Sequence, residues 1–390
     1  MAQVKNVKTQ EYDSIVIGGG LSGLIAANLL ESTGRQVAVI EALDTLGGNC
    51  RPVQSPFGKL DHGLKFVPNN EASIEALNWL SQLLGDKVTW DVVDASPVTY
   101  DDGKFKPFVG FGQQSVQTFS ELDAYAKESW LALSSTPKDW ISQLSELFAG
   151  TVQTQSVVTK MLVDDEFVIE MIVNGAKRFS AREIFFCATP QQLVRLLPET
   201  ATPVRLKQKL LKGEFWTSVN LDLIHRGTVT ESQAVHVLKG ANEEPSVGLF
   251  HPPFSMATEN ELNEPMHLQH SQWLTLVPTD ITHEAELVAS ALKQIKRQIR
   301  RAYEASLDHI VQERIIVSPT SHGDLTGLLP ESGKWPKLQN LWTISSFLDS
   351  EKNLIGSIRQ ARRTMLEVVG EPLIALEQDT DLQTSPTASV

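Results

Sequence analysis

Three glycines, Gly18, Gly20 and Gly23, stand in the spacing G-x-G-x-x-G within the run Gly18-Gly19-Gly20-Leu21-Ser22-Gly23. That spacing suits a diphosphate. The first glycine allows a tight turn, the second lets backbone approach a pyrophosphate, and the third lets a helix pack closely on a strand. Amides at the helix start, including those of Leu21 and Ser22, would face the phosphates, with the positive end of the helix dipole behind them. Glu41, followed by Ala42, comes about 20 residues later, where a carboxylate can accept hydrogen bonds from the adenosine ribose. The plainer alternative is a structural glycine turn followed by a surface glutamate. The context decides against it, because the run follows a strand, opens a helix and leads to a second strand that ends in the acid. NAD and FAD share this fingerprint, and the loop does not separate them. No metal is expected: His251, His267, His270 and His283 form no ligand pattern. No Gly-x-Ser-x-Gly element supports a hydrolase.

The elements that must position these residues can be read from periodicity. Residues 12–17 read as a buried strand, 21–31 as a helix stopped by Thr33-Gly34, and 36–40 as a second strand. This is a β-α-β unit with a parallel pair and a right-handed crossover. Further on, 71–84 reads as an amphipathic helix with Ile74, Leu77, Leu80 and Leu84 on one stripe. Residues 120–148 read as mostly helical, interrupted at 134–137. Residues 152–160, 167–173 and 177–179 suggest a three-stranded meander whose second turn, Asn174-Gly175, suits a type I′ hairpin. A strand over 183–188 closes at Thr189-Pro190. Residues 214–225 alternate, with Val219, Leu221 and Leu223 on one face and Ser218, Asn220 and Asp222 on the other, and 267–277 reads as their partner strand. Thr282 can cap a helix running to about 305. A strand over 341–345 and a helix over 355–369 follow. With no repeats and no clean linker, the domains are expected to be woven from discontinuous pieces.

At 390 residues the chain is long enough for two connected domains. Its net charge of −13 argues against nucleic acid, which is bound through a basic surface. Two cysteines, Cys50 and Cys187, favour a reducing cytoplasm. The polar residues 1–12 lack a signal-peptide core, no apolar run is long enough to span a membrane, and 378–390 read as disordered.

Residues 12–49 resemble the opening of the FAD-binding superfamily that contains monoamine oxidases, protoporphyrinogen oxidase, phytoene desaturases and UDP-galactopyranose mutase. Members continue from the ribose-binding acid into a Gly-Gly-Arg or Gly-Gly-Asn element, and Leu46-Gly47-Gly48-Asn49 matches the second form. The run Gly356-Ser357-Ile358-Arg359-Gln360-Ala361 resembles the superfamily's C-terminal helix start, whose amides approach the flavin pyrimidine. Val152 sits where the superfamily lays backbone against adenine, and 183–190 resembles its following strand. Together these segments cover roughly 40% of the chain.

The resemblance implies FAD as cofactor and an α/β fold. A Rossmann-like FAD-binding domain of glutathione-reductase type would comprise 1–70, 150–200 and 338–370. An interleaved α+β substrate domain would comprise 71–149 and 201–337, and 371–390 would form a tail. Arg51 could reach the cofactor phosphates. Where relatives carry a Gly-Asp or Gly-Glu pair on the ribityl chain, this sequence has Ser345-Ser346-Phe347-Leu348-Asp349, so Ser345 or Asp349 would substitute. The mutase's flavin-side histidines are missing from Gly63-Leu64-Lys65-Phe66-Val67-Pro68-Asn69, which lowers the case for mutase activity.

By superfamily order Asp61-His62-Gly63-Leu64-Lys65 should pass near the flavin ring. Lys65 there would stabilise negative charge or serve as a base, against the plainer reading of a solvated strand-edge lysine. His62 could shuttle protons near neutral pH or be a satisfied structural histidine. Trp216, Trp273, Trp335 and Trp342 could line a pocket, though core packing is their default. A thiol link from Cys50 to flavin is disfavoured, because small buried thiols are common. The expected activity is an oxidoreductase that moves a hydride from a C–N or C–C bond of a small molecule to flavin. The alternatives are a non-redox flavin isomerase or mutase, and a flavin-binding protein without turnover.

Overall fold

A computed structural model describes residues 8–111, 121–127, 129–240, 243–256, 265–279 and 285–370. Thr282 and residues 371–390 lie outside these, so the expected cap and tail do too. The opening strand, Gln10–Ile17, is fully buried from Ser14 onward. Its Val and Ile side chains serve both faces, as a parallel strand covered on two sides requires. Val37–Ile40 pairs with it on one side and Lys177–Phe186 on the other, both parallel. Thr151–Gln153 and Leu341–Thr343 extend the parallel set at its two edges. The first helix, Leu21–Glu31, covers one face with Glu71–Leu83, Pro137–Leu147 and the terminal helix Leu354–Val369, burying Leu24, Leu77, Trp140 and Ile358. On the other face the hairpin of Val158–Asp164 and Phe167–Val173 packs with Pro190–Leu196 and Val204–Lys212.

A second sheet runs in the order Ile310–Gly323, Phe215–Arg226, Met266–Pro278, Ser246–Phe250, His236–Leu238, Val98–Asp101 and Lys104–Pro107. Helix Ala285–Ala302 covers one face, setting Ile295 and Ile299 against Leu221, Leu223 and Trp273. The other face meets Leu64, Phe66 and Trp130 through Leu274 and Leu276. The segment 61–66 is therefore packed against the second sheet.

Several sequence expectations are corrected. Within 120–148, residues Ser129–Leu133 form a strand antiparallel to Trp90–Asp94, set between the helical turn Asp123–Ala126 and the helix Pro137–Leu147. Pairing overrides the helical preference of Leu and Ala there. The strand expected over 152–160 breaks at Gln155 (φ +50°), where the chain leaves the parallel edge for the hairpin. Conversely, the third meander strand and the strand at 183–188 are one continuous strand, Lys177–Phe186. In Glu71–Leu83 the buried stripe is Ala76, Leu77, Trp79, Leu80 and Leu83, while Ile74 stays exposed. Trp273, Trp335 and Trp342 are core residues, with Trp342 stacked on Phe185; Trp216 alone of the four lines a cavity. Asn174 and Gly175 both have positive φ, as a type I′ turn needs.

Candidate functional site

The glycine run packs helix on strand as closely as its spacing suggests, and one neighbour matters as much. A Cβ on Gly23 would lie 1.9 Å from the Gly18 carbonyl oxygen, so only glycine lets the helix sit this close to the strand end. A Cβ on Gly20 would meet nothing nearer than 3.9 Å, and Gly20 faces an open cavity. The second glycine pair lies directly on the first. The Gly47 N–H donates to the Gly19 carbonyl at 2.7 Å, and a Cβ on Gly48 would approach the Gly20 Cα to 3.3 Å. Helix Leu21–Glu31 has no side-chain cap at its N-terminus and no acidic residue in its first turn. Its leading amides and dipole are thereby left for an anion.

Glu41 is held in place by its own backbone surroundings. Its Oε2 accepts from the Gly19 N–H at 2.6 Å and its Oε1 from the Leu43 N–H at 2.7 Å. Each oxygen accepts one of these bonds and has capacity for another, and Glu41 lines a cavity, which suits ribose hydroxyls. The cavity has a volume of about 630 Å³, within the range of small-molecule sites. Of the residues singled out in the sequence, Gly18, Gly20, Leu21, Ser22, Glu41, Ala42, Gly47, Gly48, Asn49 and Ser357 line it. The structure brings these together from both chain ends: Ser22 Oγ donates to the Ser357 carbonyl at 3.1 Å, joining the first helix to the last.

Other expected contacts are placed elsewhere. Val152 lies on the edge strand, away from the cavity; Ser156, Val157 and Val158 line it instead, on the turn that bonds back to Glu41 and Leu43. Arg51 donates from Nη1 to the carbonyl of Gly48, a cavity-lining residue, at 2.9 Å. Gly356 and Ile358 do not line the cavity. Gly356 is needed because its Cβ would strike the Glu351 carbonyl at 1.6 Å, and Ile358 is core. Ser345 caps a short turn and Ser346 lines the smaller cavity described next. Asp349 is buried and paired with Arg359 and Arg363 of the terminal helix at 3.2 and 3.1 Å.

A smaller cavity of about 140 Å³ shares Asn49, Cys50 and Ser357 with the first. It is lined by His62, Lys65, Tyr125, Ser218, Asn220, Ser321, His322 and Lys352, among others. Lys65 is half-buried on a loop rather than at a strand edge, and its Nζ donates to the Asn49 carbonyl at 2.7 Å. A third cavity, about 230 Å³, shares Lys65 and is walled by Trp130, Leu131, Leu249 and Phe250. Lys65 thus stands between a polar chamber and an apolar one.

Burial and the nearby Arg51 and Lys65 charges depress the His62 imidazole to about 3, so this ring is neutral near pH 7. That corrects the expectation of a proton shuttle titrating near neutrality. Burial, with Lys65 as a lesser cause, lowers His322 to about 4. Burial raises the Cys50 thiol despite Lys65, which keeps it protonated. Asp222 behaves differently. Burial lifts its carboxyl to about 7, opposed by the Gln272 hydrogen bond and the charges of Arg314 and Lys65.

Sequence reasoning missed Ser156, Val157, Tyr125, Asn220, Ser321, His322, Ser346 and Lys352. One signal was available: the alternating polar face Ser218, Asn220, Asp222 is as buried as the apolar face behind it, and buried polar groups need a reason. Among the described residues, no group of three or more His, Cys, Asp or Glu could hold a metal ion, and no helix is long and apolar enough to cross a membrane.

Comparison with known proteins adds the following. The family described as NAD(P)-binding Rossmann-like domain matches residues 16–83. A flavin-containing amine oxidase of Oncorhynchus mykiss is 38% identical over 113 residues, which is 29% of this chain and 21% of that protein. UDP-galactopyranose mutase of Mycoplasma genitalium is 36% identical over 44 residues, 11% of each chain. The matched segment spans 13% to 21% of the length of the first curated relatives. Among solved structures, cyclohexylamine oxidase from Brevibacterium oxydans aligns with a TM-score of 0.65 at 11% identity, covering 92% of this chain and 98% of that one. Putrescine oxidase bound to putrescine aligns with a TM-score of 0.61 at 14% identity, covering 93% and 100%. These solved structures share the fold of this chain, and the Rossmann-like unit lies in its N-terminal part.

Proposed function

We propose that this chain is an FAD-dependent oxidoreductase of the amine-oxidase-like type, removing a hydride from a C–N or C–C bond of a small organic molecule. The observation that carries the reading is a row of cavities that share lining residues. An anion-ready helix start and the fixed Glu41 carboxylate line the first, Asn49, Cys50 and Ser357 line both it and a polar second, and Lys65 lines both the second and a more apolar third. The cradle has room for a diphosphate, because Gly20 lines the first cavity and even an added Cβ there would meet nothing nearer than 3.9 Å. When bound, flavin supplies the hydride-accepting chemistry, and the protein supplies placement and electrostatics.

The residues divide that work. Amides of the first helix hold the diphosphate and Glu41 the ribose. Lys65 presents a cation where negative charge develops, a form of preorganised electrostatic stabilisation. His62, neutral and buried, contributes shape without a charge. Trp130, Leu249 and Phe250 take the apolar part of the substrate and keep water out. The short likenesses to flavin-containing amine oxidases and the overall fold support this reading.

The test is direct. The purified chain should be yellow or take up added FAD, and anaerobic mixing with a competent substrate should bleach it. An isomerase or mutase would need prior reduction and would show no net bleaching. A colourless chain that refuses FAD would end the proposal.

A further inference from the structure

The face of the second sheet that presses on the 61–66 loop is polar where a core would be apolar. Asn220, Asp222 and Gln272 are 4%, 2% and 3% exposed. Asp222 lies opposite Gln272 on one neighbouring strand and opposite Arg314 on the other. These side chains converge on a single peptide group. The N–H of Leu64 donates to Asn220 Oδ1 at 3.2 Å, and the carbonyl of Gly63, the other end of the same peptide, accepts from Gln272 Nε2 at 3.0 Å. Gly63 has φ +72°, and a Cβ there would strike the Asn220 amide at 2.6 Å. The peptide next to Lys65 is therefore gripped at both ends.

The orientation of Gln272 is itself set. Its Nε2 also donates to Asp222 Oδ1 at 3.4 Å, and its Oε1 is bonded to His251 Nε2 at 2.8 Å. The His251 ring stacks on His270 at 4.8 Å, and His270 Nε2 returns to within 4.0 Å of Asp222 Oδ2. A flipped Gln272 amide would turn its oxygen toward two acceptors, the Gly63 carbonyl and Asp222. Burying such a set costs stability relative to an apolar core of the same shape, and its return is conformational specificity.

We infer that Asn220, Gln272 and Asp222 are positioning residues that clamp the 63–64 peptide and thereby hold Lys65 on the wall between the polar and apolar cavities. The inference rests on the reading of Lys65 as a flavin-side cation. Two measurements separate the clamp from that reading. In the FAD-free full chain, Gln272→Met should raise amide hydrogen exchange at Leu64 at least tenfold while the protein stays folded. Gln272→Glu keeps the size and the oxygen facing His251 but loses the donor to Gly63, and should act in the same direction if the Met variant does not fold. In the FAD-loaded protein, Gln272→Met should shift the flavin midpoint potential in the direction of Lys65→Met, and should add no further shift in the Lys65→Met background. Unchanged exchange at Leu64 in either folded variant overturns the clamp. An equal shift with and without Lys65 overturns its action through Lys65. If Lys65→Met alone leaves the potential unmoved, the Lys65 role proposed above fails, and exchange at Leu64 alone decides the clamp.

Discussion

The two ends of the site are built from different materials. At the phosphate end the contacts come from backbone: helix amides, two glycine pairs laid face to face, and a glutamate whose oxygens are fixed by main-chain N–H groups. At the reactive end they come from side chains delivered by remote strands and turns, including Lys65, Asn220, His322 and Lys352. The first design depends on local chain geometry, and a missing Cβ is its main requirement. The second depends on long-range packing, and it bears the cost of burying polar and titratable groups. The two ends should therefore fail in different ways.

The largest effect is expected at the phosphate end. Gly23→Val places atoms on the Gly18 carbonyl, whose oxygen a Cβ already approaches to 1.9 Å, so helix and strand must separate. Overpacking of this kind costs about 1–3 kcal/mol or more. The variant should show a markedly lowered Tm and no bound flavin; full flavin content would break the assignment of the loop. Next comes acid. Burial depresses His62 to about 3 and His236 to about 4. The unfolded chain takes up protons at these sites below about pH 6.5 while the folded chain does not, so stability falls as pH drops from there toward 4. Each group contributes on the order of 1.4 kcal/mol per pH unit through that window. Asp222, raised toward 7, acts with the opposite sign over the same range and blunts the loss. Hydrogen exchange should show strands 215–278 opening before 10–40 on acidification; simultaneous loss in both would erase the contrast between the two ends. The smallest effect on the fold belongs to Gly20→Ala. Its nearest new contact would be an ordinary 3.9 Å, so the Tm of the FAD-free chain should change little. Flavin affinity should drop about 10- to 100-fold, or roughly 1.4–2.7 kcal/mol, by titration with FAD.

Legibility followed the same division. The first strand, helix and second strand were readable nearly residue by residue, because the glycine spacing, the strand hydrophobicity and the terminal acid are all local signals. Ser22 and Ser357 were singled out separately, but their direct hydrogen bond joins residues 335 apart and could not be read from either segment. Val152 illustrates the limit: the segment was recognised, yet the break at Gln155 moved the cavity-facing residues to Ser156, Val157 and Val158. Ser129–Leu133 was read as helix because its strand partner, Trp90–Asp94, is distant in the chain. His62 was placed in the right loop, whereas its depressed basicity arises from burial and neighbouring cations that the sequence does not locate.

What the amino-acid order determined by itself was the cradle: a tight glycine turn, a parallel pair and an acid at the end of the second strand. Those features follow from backbone hydrogen bonding, from side-chain periodicity and from the space a glycine leaves, all of which act over a few residues. Tertiary structure alone decided the reactive end. There the peptide beside Lys65 is fixed by Asn220 and Gln272, residues more than 150 positions away, and contacts at that separation exist only once the second sheet has packed on the loop.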